Sequence, residues 1–206
     1  MSHFFRLRFS PGFTLADMLV ATTIVVTLSV VLVVNFRAGS KRDELRSGAL
    51  LLSSLLHQAQ TYTLSGHTID YGGEQTFPDG GYGISFDTQS DTVYFFGSDG
   101  SDNFFSPGGE IWEEPYSLAE YNIELDNRVC IDRGSGCDYS ASTVDFIFTP
   151  PLGSRILSEG ALNQGTFTVV VRHPSLPGKG MLISGNAGSG QVNLGPLTDI
   201  PTLWQP

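Results

Sequence analysis

Ser10-Pro11-Gly12-Phe13-Thr14-Leu15-Ala16-Asp17-Met18-Leu19-Val20 opens the apolar run around which the rest of the chain is read. From Phe13 to Val34 the run holds 22 residues with one charge, Asp17, and neither glycine nor proline. A helix over it is roughly 33 Å long at the usual rise per residue, enough to cross the hydrocarbon of a bilayer. Residues 1–12 form a leader bearing Arg6 and Arg8. A secretory signal would carry its cleavage site behind the apolar region, after small residues. Here Val34 is followed by Asn35, Phe36 and Arg37, and no such small-residue pattern closes the apolar region.

Beyond the run the helical period continues. Leu45, Ala49, Leu52, Leu56, Ala59 and Thr63 recur at three- and four-residue spacing, Leu51 and Leu55 widen the stripe, and Arg46, Ser47, Ser54 and Gln58 fall opposite. Gly66 after Ser65 reads as the C-terminal stop. The expectation is one helix over 13–65, transmembrane in 13–34 and amphipathic in its second half, about 80 Å long if unbroken. Gly39 and Gly48 each cost it about 1 kcal/mol of propensity, and a kink-free helix remains the default.

After Gly66 the period changes to two. Strands are expected at Tyr82–Phe86, Thr92–Phe96, Tyr121–Leu125, Thr143–Phe148, Phe167–Arg172, Gly180–Ser184 and Gln191–Leu194. Turn clusters such as Pro78-Asp-Gly-Gly81, Ser98-Asp-Gly-Ser101 and Asn186-Ala-Gly-Ser-Gly190 separate them. The fold class is therefore α+β, with a long N-terminal helix packed on an antiparallel β domain over 66–206. From His67 onward 18 acidic residues face five basic ones, a balance near −13 that repels nucleic-acid backbones and anionic lipid.

The leader and the start of the run resemble the N-terminus of type IV pilin-like proteins, the pilins and pseudopilins. The resemblance rests on Gly12, Phe13, Thr14, Leu15 and Asp17 in register. Phe146-x-Phe-x-Pro-Pro151, Thr166-Phe-Thr-Val-Val-Val171 and Ser189-Gly-Gln-Val192 also look like the last strands of minor pseudopilin domains. What the resemblance implies is a prepilin peptidase cutting after Gly12, N-methylation of Phe13, and an assembly role for Asp17 facing the freed amine of a neighbouring subunit. The family usually has glutamate there, and Asp17 is one methylene shorter. A carboxylate inside an apolar helix costs about 2.5–3.5 kcal/mol on insertion scales, so it ordinarily has a partner. The bare alternative is a signal-anchor helix with one acidic residue near its end. The resemblance also puts the N-terminus on the cytoplasmic side, although Arg37, Lys41, Arg42 and Arg46 behind the run would read the other way by the positive-inside rule.

Cys130 and Cys137 enclose Ile-Asp-Arg-Gly-Ser-Gly. In an oxidising compartment they are expected to form a local disulfide, with two unpaired thiols as the alternative. Asp99, Ser101, Asn103 and Glu110 take the first, third, fifth and twelfth places of an EF-hand-like calcium loop. Phe104 stands where the sharp turn needs glycine and no flanking helix is predicted, so a solvated acidic loop is favoured and no metal is assigned. Some pseudopilins bind calcium in their β domain, which keeps these four residues as the calcium candidate.

No cofactor is expected and no enzymatic step. His3, His57, His67 and His173 show no metalloprotease or Cys-His spacing, and Gly188-Ser-Gly190 precedes a strand, which argues for a hairpin. Trp112 and Trp204 are read as core packing or edge covering.

The reading is a structural subunit of a type IV pilus or a type II secretion pseudopilus-like filament, processed by prepilin peptidase and assembled through its N-terminal helix. Expected partners are the peptidase, other pilin-like subunits, the assembly machinery and the membrane, with no nucleic acid. The protein is placed as single-pass in the plasma (inner) membrane, its β domain outside the cytoplasm, and in a surface filament after assembly. The alternatives are a membrane-anchored surface binding module that does not polymerise, and a membrane-anchored hydrolase.

Overall fold

The structure, a computed structural model, describes residues 14–100, 105, 110–132, 137–138, 143–150, 153–158, 161–163 and 165–199. They form two compact units, one ending at Ser40 and one beginning at Lys41. A single helix, α1 (Leu15–Ser65), contributes to both. The expected stop is made by Gly66, whose φ of +63° is open to glycine at no steric cost. The Gly66 amide donates to the Thr63 carbonyl and the His67 amide to that of Tyr62, the paired bonds of a Schellman cap.

The strands are β1 (Ile69–Tyr71), β2 (Glu74–Thr76), β3 (Gly81–Asp87), β4 (Thr92–Ser98), β5 (Trp112–Ser117), β6 (Glu124–Asp132), β7 (Cys137–Asp138), β8 (Thr143–Thr149), β9 (Gly153–Ser158), β10 (Ala161–Asn163), β11 (Thr166–Arg172), β12 (Lys179–Asn186) and β13 (Val192–Asp199). Every pairing among them is antiparallel. The α+β class and the long leading helix are as expected. Instead of one sheet on the helix there are two, ordered β10-β9-β8-β3-β4-β5 and β13-β12-β11-β6-β7, with β1-β2 as a separate hairpin. The strand predicted at Tyr121–Leu125 begins later, because Leu118–Tyr121 form a 3-10 turn and Asn122 takes a left-handed conformation. The strands β1, β2, β5, β7, β9 and β10 carried no expectation. In β5, Trp112-Glu-Glu-Pro-Tyr-Ser117 shows no alternation to read.

The core of the second unit lies where the amphipathic half of α1 meets the two sheets. Leu45, Ala49, Leu52, Leu55, Leu56 and Ala59 are buried from the helix. Tyr82, Ile84, Phe86, Phe95, Val144, Phe146 and Phe148 join them from one sheet, and Leu125, Val129, Ile131, Phe167, Val169 and Val171 from the other. The sheets meet at Phe167, whose ring centroid lies 5.0 Å from Phe146 and 5.8 Å from Phe86. Gly48 lets the helix approach this core closely, since a Cβ there would run into the Ile123 side chain.

One buried polar residue ties helix to sheet. The Thr63 hydroxyl accepts from the Tyr82 amide and donates to the Phe148 carbonyl, each at 3.1 Å, filling the gap between β3 and β8 at its end. Gly81 makes that end possible: its φ is +89°, and a Cβ there would collide with the Phe148 carbonyl.

Candidate functional site

The feature that sets this chain apart is the first half of α1. Its most apolar 18-residue window has a mean hydropathy of 2.4 and none of it is buried, so α1 is long and apolar enough to cross a membrane. Leu19, Val20, Ile24, Val25, Leu28, Val31 and Leu32 all stand bare. In water such a surface is costly, at roughly 25 cal/mol for each Å² left exposed.

The polar side chains inside this run are satisfied by the helix itself. Thr22 and Thr23 both donate to the Leu19 carbonyl, at 3.0 and 2.8 Å. Thr27 donates to Thr23 and Ile24, and Ser29 to Val25 at 2.7 Å. A medium without water penalises every unpaired donor by several kcal/mol, so this back-bonding is what makes four hydroxyls tolerable there.

Asp17 and Thr14 close the N-terminus in the same way. The Thr14 hydroxyl and amide both donate to Asp17 Oδ2, at 2.8 and 3.1 Å, and the Asp17 amide donates to Thr14 Oγ1 at 3.2 Å. Thr14 sits one residue before the helix and Asp17 at its third position, which is a capping box with aspartate in the place of glutamate. The carboxylate also lies at the positive end of the helix dipole. The signal for this in the sequence is Thr14-x-x-Asp17, which the expectation of a partner in another subunit passes over. Gly12 and Phe13, the expected processing and methylation positions, lie outside the described residues.

The other candidates fall in the second unit. Cys130 is disulfide-bonded, and the sequence holds one other cysteine, Cys137. The backbone of Cys137 pairs opposite Asp132, two residues past Cys130 on β6. Of the calcium candidates, Ser101 and Asn103 lie outside the described residues. Asp99 is exposed beyond β4 and Glu110 is half-buried before β5. Among the described residues no group of three His, Cys, Asp or Glu gathers as a metal site requires. Between those two positions Phe105 covers the outer face of the sheet. Its ring lies 4.7 Å from Phe96 and 4.9 Å from Tyr94, and its amide donates to Asp145 Oδ2 at 3.0 Å.

Sequence reading missed two polar links across the unit. His173 is buried and its Nδ1 accepts from the Ser175 amide at 3.0 Å. The ring proton therefore belongs on Nε2, which donates to Glu44 Oε2 at 3.0 Å and fastens α1 to the chain leaving β11. Asp91 Oδ1 accepts from the Leu125 amide at 2.8 Å, tying the β3–β4 turn to β6. Partners 129 and 34 residues apart leave no local pattern. Of the remaining histidines, His57 is exposed, and His67 stacks on Tyr62 at 4.0 Å. The Gly188–Gly190 segment forms the β12–β13 turn, with the Gly190 amide donating to Asn186 at 2.8 Å. Trp112 packs edge-on against Phe95 at 5.2 Å.

A small cleft of about 130 Å³ lies between Gln60, Thr63, Phe148, Ser154 and Gly190. It is too small for most organic ligands, whose pockets begin at about 300 Å³. Neither a family model, a curated protein nor a solved structure matches this chain. The geometry thus defines an α+β protein with an exposed apolar helix at its N-terminal side as the candidate functional element.

Proposed function

We propose that this chain is a membrane-held structural subunit of a pilin-like filament, of the type IV pilus or type II secretion pseudopilus kind. The observation that supports the membrane half of this reading is the first stretch of α1, where the described apolar side chains are bare and each described hydroxyl is bonded within the helix. The filament half rests on the resemblance of Gly12, Phe13, Thr14, Leu15 and Asp17 to the pilin-like processing motif. In this reading a prepilin peptidase cuts after Gly12 and Phe13 is methylated. The helix then moves from lipid into a bundle of neighbouring helices, exchanging one apolar surrounding for another while Asp17 meets the new amine. The β domain lies outside the cytoplasm, in keeping with the bonded Cys130. No cofactor and no catalytic step belong to the chain.

N-terminal sequencing of protein extracted from membranes of cells that hold the peptidase tests the first step. A mature chain starting with methylated Phe13 is expected; one still starting at Met1 overturns the assignment. Cysteine crosslinking between α1 segments, and recovery of the protein in sheared filaments, test assembly.

One observation favours a second reading, a membrane-anchored binding module that does not polymerise. The capping box already gives Asp17 a partner in its own chain, so its charge does not require a neighbour. Absence of both crosslinks and filaments, with the protein still in the membrane, selects that reading.

A further inference from the structure

Basic residues are scarce after the apolar run, and four of them crowd into its first turns. Arg37, Lys41, Arg42 and Arg46 follow Val34 along α1, whereas only five basic residues are spread from His67 to the end of the chain. Arg37, Arg42 and Arg46 are exposed and Lys41 is half-buried. Two members of the second group, Arg172 and Lys179, have acidic partners. Arg172 lies 3.4 Å from Glu124 and 3.8 Å from Asp126, and Lys179 lies 3.5 Å from Asp199. Among the described residues no carboxylate comes within 4.0 Å of Arg37, Lys41, Arg42 or Arg46. Two acidic residues share the stretch, Asp43, which is exposed, and Glu44, which bonds His173, and four basic residues against two acidic ones leave it net positive.

We propose that Arg37, Lys41, Arg42 and Arg46 form a collar that binds the anionic headgroups of the leaflet from which α1 leaves the membrane. The inference rests on the membrane half of the function proposed above and not on the filament half. Three arguments carry it. At 1.5 Å per residue the four side chains leave the helix about 5–18 Å beyond Val34, and long Arg and Lys side chains reach back toward an interface. Their charge matches phosphate headgroups, while the rest of the second unit, rich in carboxylates, is repelled by the same surface. The cluster also runs against the positive-inside rule if the domain is exterior, and binding at the outer leaflet gives those charges a use there.

The test uses the full chain in phosphatidylcholine vesicles with a minority of phosphatidylglycerol, each lipid spin-labelled in turn. The share of each label held motionally restricted at the protein gives the lipid selectivity. The wild-type chain should prefer phosphatidylglycerol by several-fold, since a basic side chain near an anionic surface strengthens attraction by up to about fivefold. The preference should fall toward unity in R37Q/K41Q/R42Q/R46Q, and also in wild type near 1 M salt, where screening acts within about 3 Å. Equal selectivity in wild type and variant overturns the proposal. So does a variant that keeps lipid selectivity but loses energy transfer between labelled copies, which would assign the cluster to the acidic face of a second copy. A chain that does not float with vesicles overturns the membrane reading itself; one that floats without selectivity overturns the collar alone.

Discussion

Thr63 occupies a position where one hydroxyl serves two strands, and Val is its closest apolar match in shape. Thr63→Val strands the Tyr82 amide and the Phe148 carbonyl without changing the volume of the core. The expected loss is about 2–4 kcal/mol of unfolding free energy in urea, with Thr63→Ser close to wild type. Tyr82 itself is fully buried, and its hydroxyl donates to the His67 carbonyl at 2.7 Å. Burial, and secondarily the neighbouring Tyr62 hydroxyl, push its phenol from 10.0 up to about 12. The unfolded chain loses this proton first, so the stabilisation is complete below pH 10 and disappears as pH rises toward 12. Tyr116 is pushed up to about 12 as well, by burial and then by Glu114. Unfolding midpoints measured across that window should fall in wild type. In Tyr82→Phe the fall should be shallower, from a starting point about 1 kcal/mol lower because one hydrogen bond is gone.

At the scale of the element, α1 contains two glycines that look alike in sequence and differ in structure. A Cβ at Gly39 meets no atom within 4 Å, whereas one at Gly48 enters the Ile123 side chain. Gly39→Ala should therefore raise helix stability by about 1 kcal/mol, read as slower amide exchange around residue 39 in detergent micelles. Gly48→Ala gains the same propensity and costs about 1–3 kcal/mol in displaced packing, for a net loss in unfolding free energy. The amphipathic stripe was legible because helical period and burial report the same face. Leu45, Ala49, Leu52, Leu55, Leu56, Ala59 and Thr63 are all buried, while Arg46, Ser47, Ser54 and Gln58 are exposed. The central strands β3, β4, β8 and β11 were legible for their β-branched and aromatic residues, and β12 for its apolar Met181-Leu-Ile183 run. The strand β6 was only glimpsed, because Asp126-Asn-Arg128 interrupts its apolar pattern just where the register against β11 shifts.

At the scale of the molecule, the boundary at Ser40 predicts that the second unit stands alone. Among the described residues its core draws on α1 only from Leu45 onward. A chain beginning at Lys41 should be water-soluble and unfold in one cooperative transition by calorimetry, while the full chain requires detergent. Aggregation of the shortened chain, or a broad non-cooperative transition, would count against this.

Sequence by itself determined the two halves of α1, its stop at Gly66, the antiparallel β character of the chain beyond that stop, and the acidic balance. It also held Thr14-x-x-Asp17. These are local properties, written in period, composition and the backbone freedom of single residues. Only the tertiary structure decided that the strands divide into two sheets meeting at Phe167, that Thr63 bridges β3 and β8, and that Glu44 holds His173. Each of these joins residues far apart in the chain, and which distant partner a residue meets is settled by packing of the whole core, on which local period is silent.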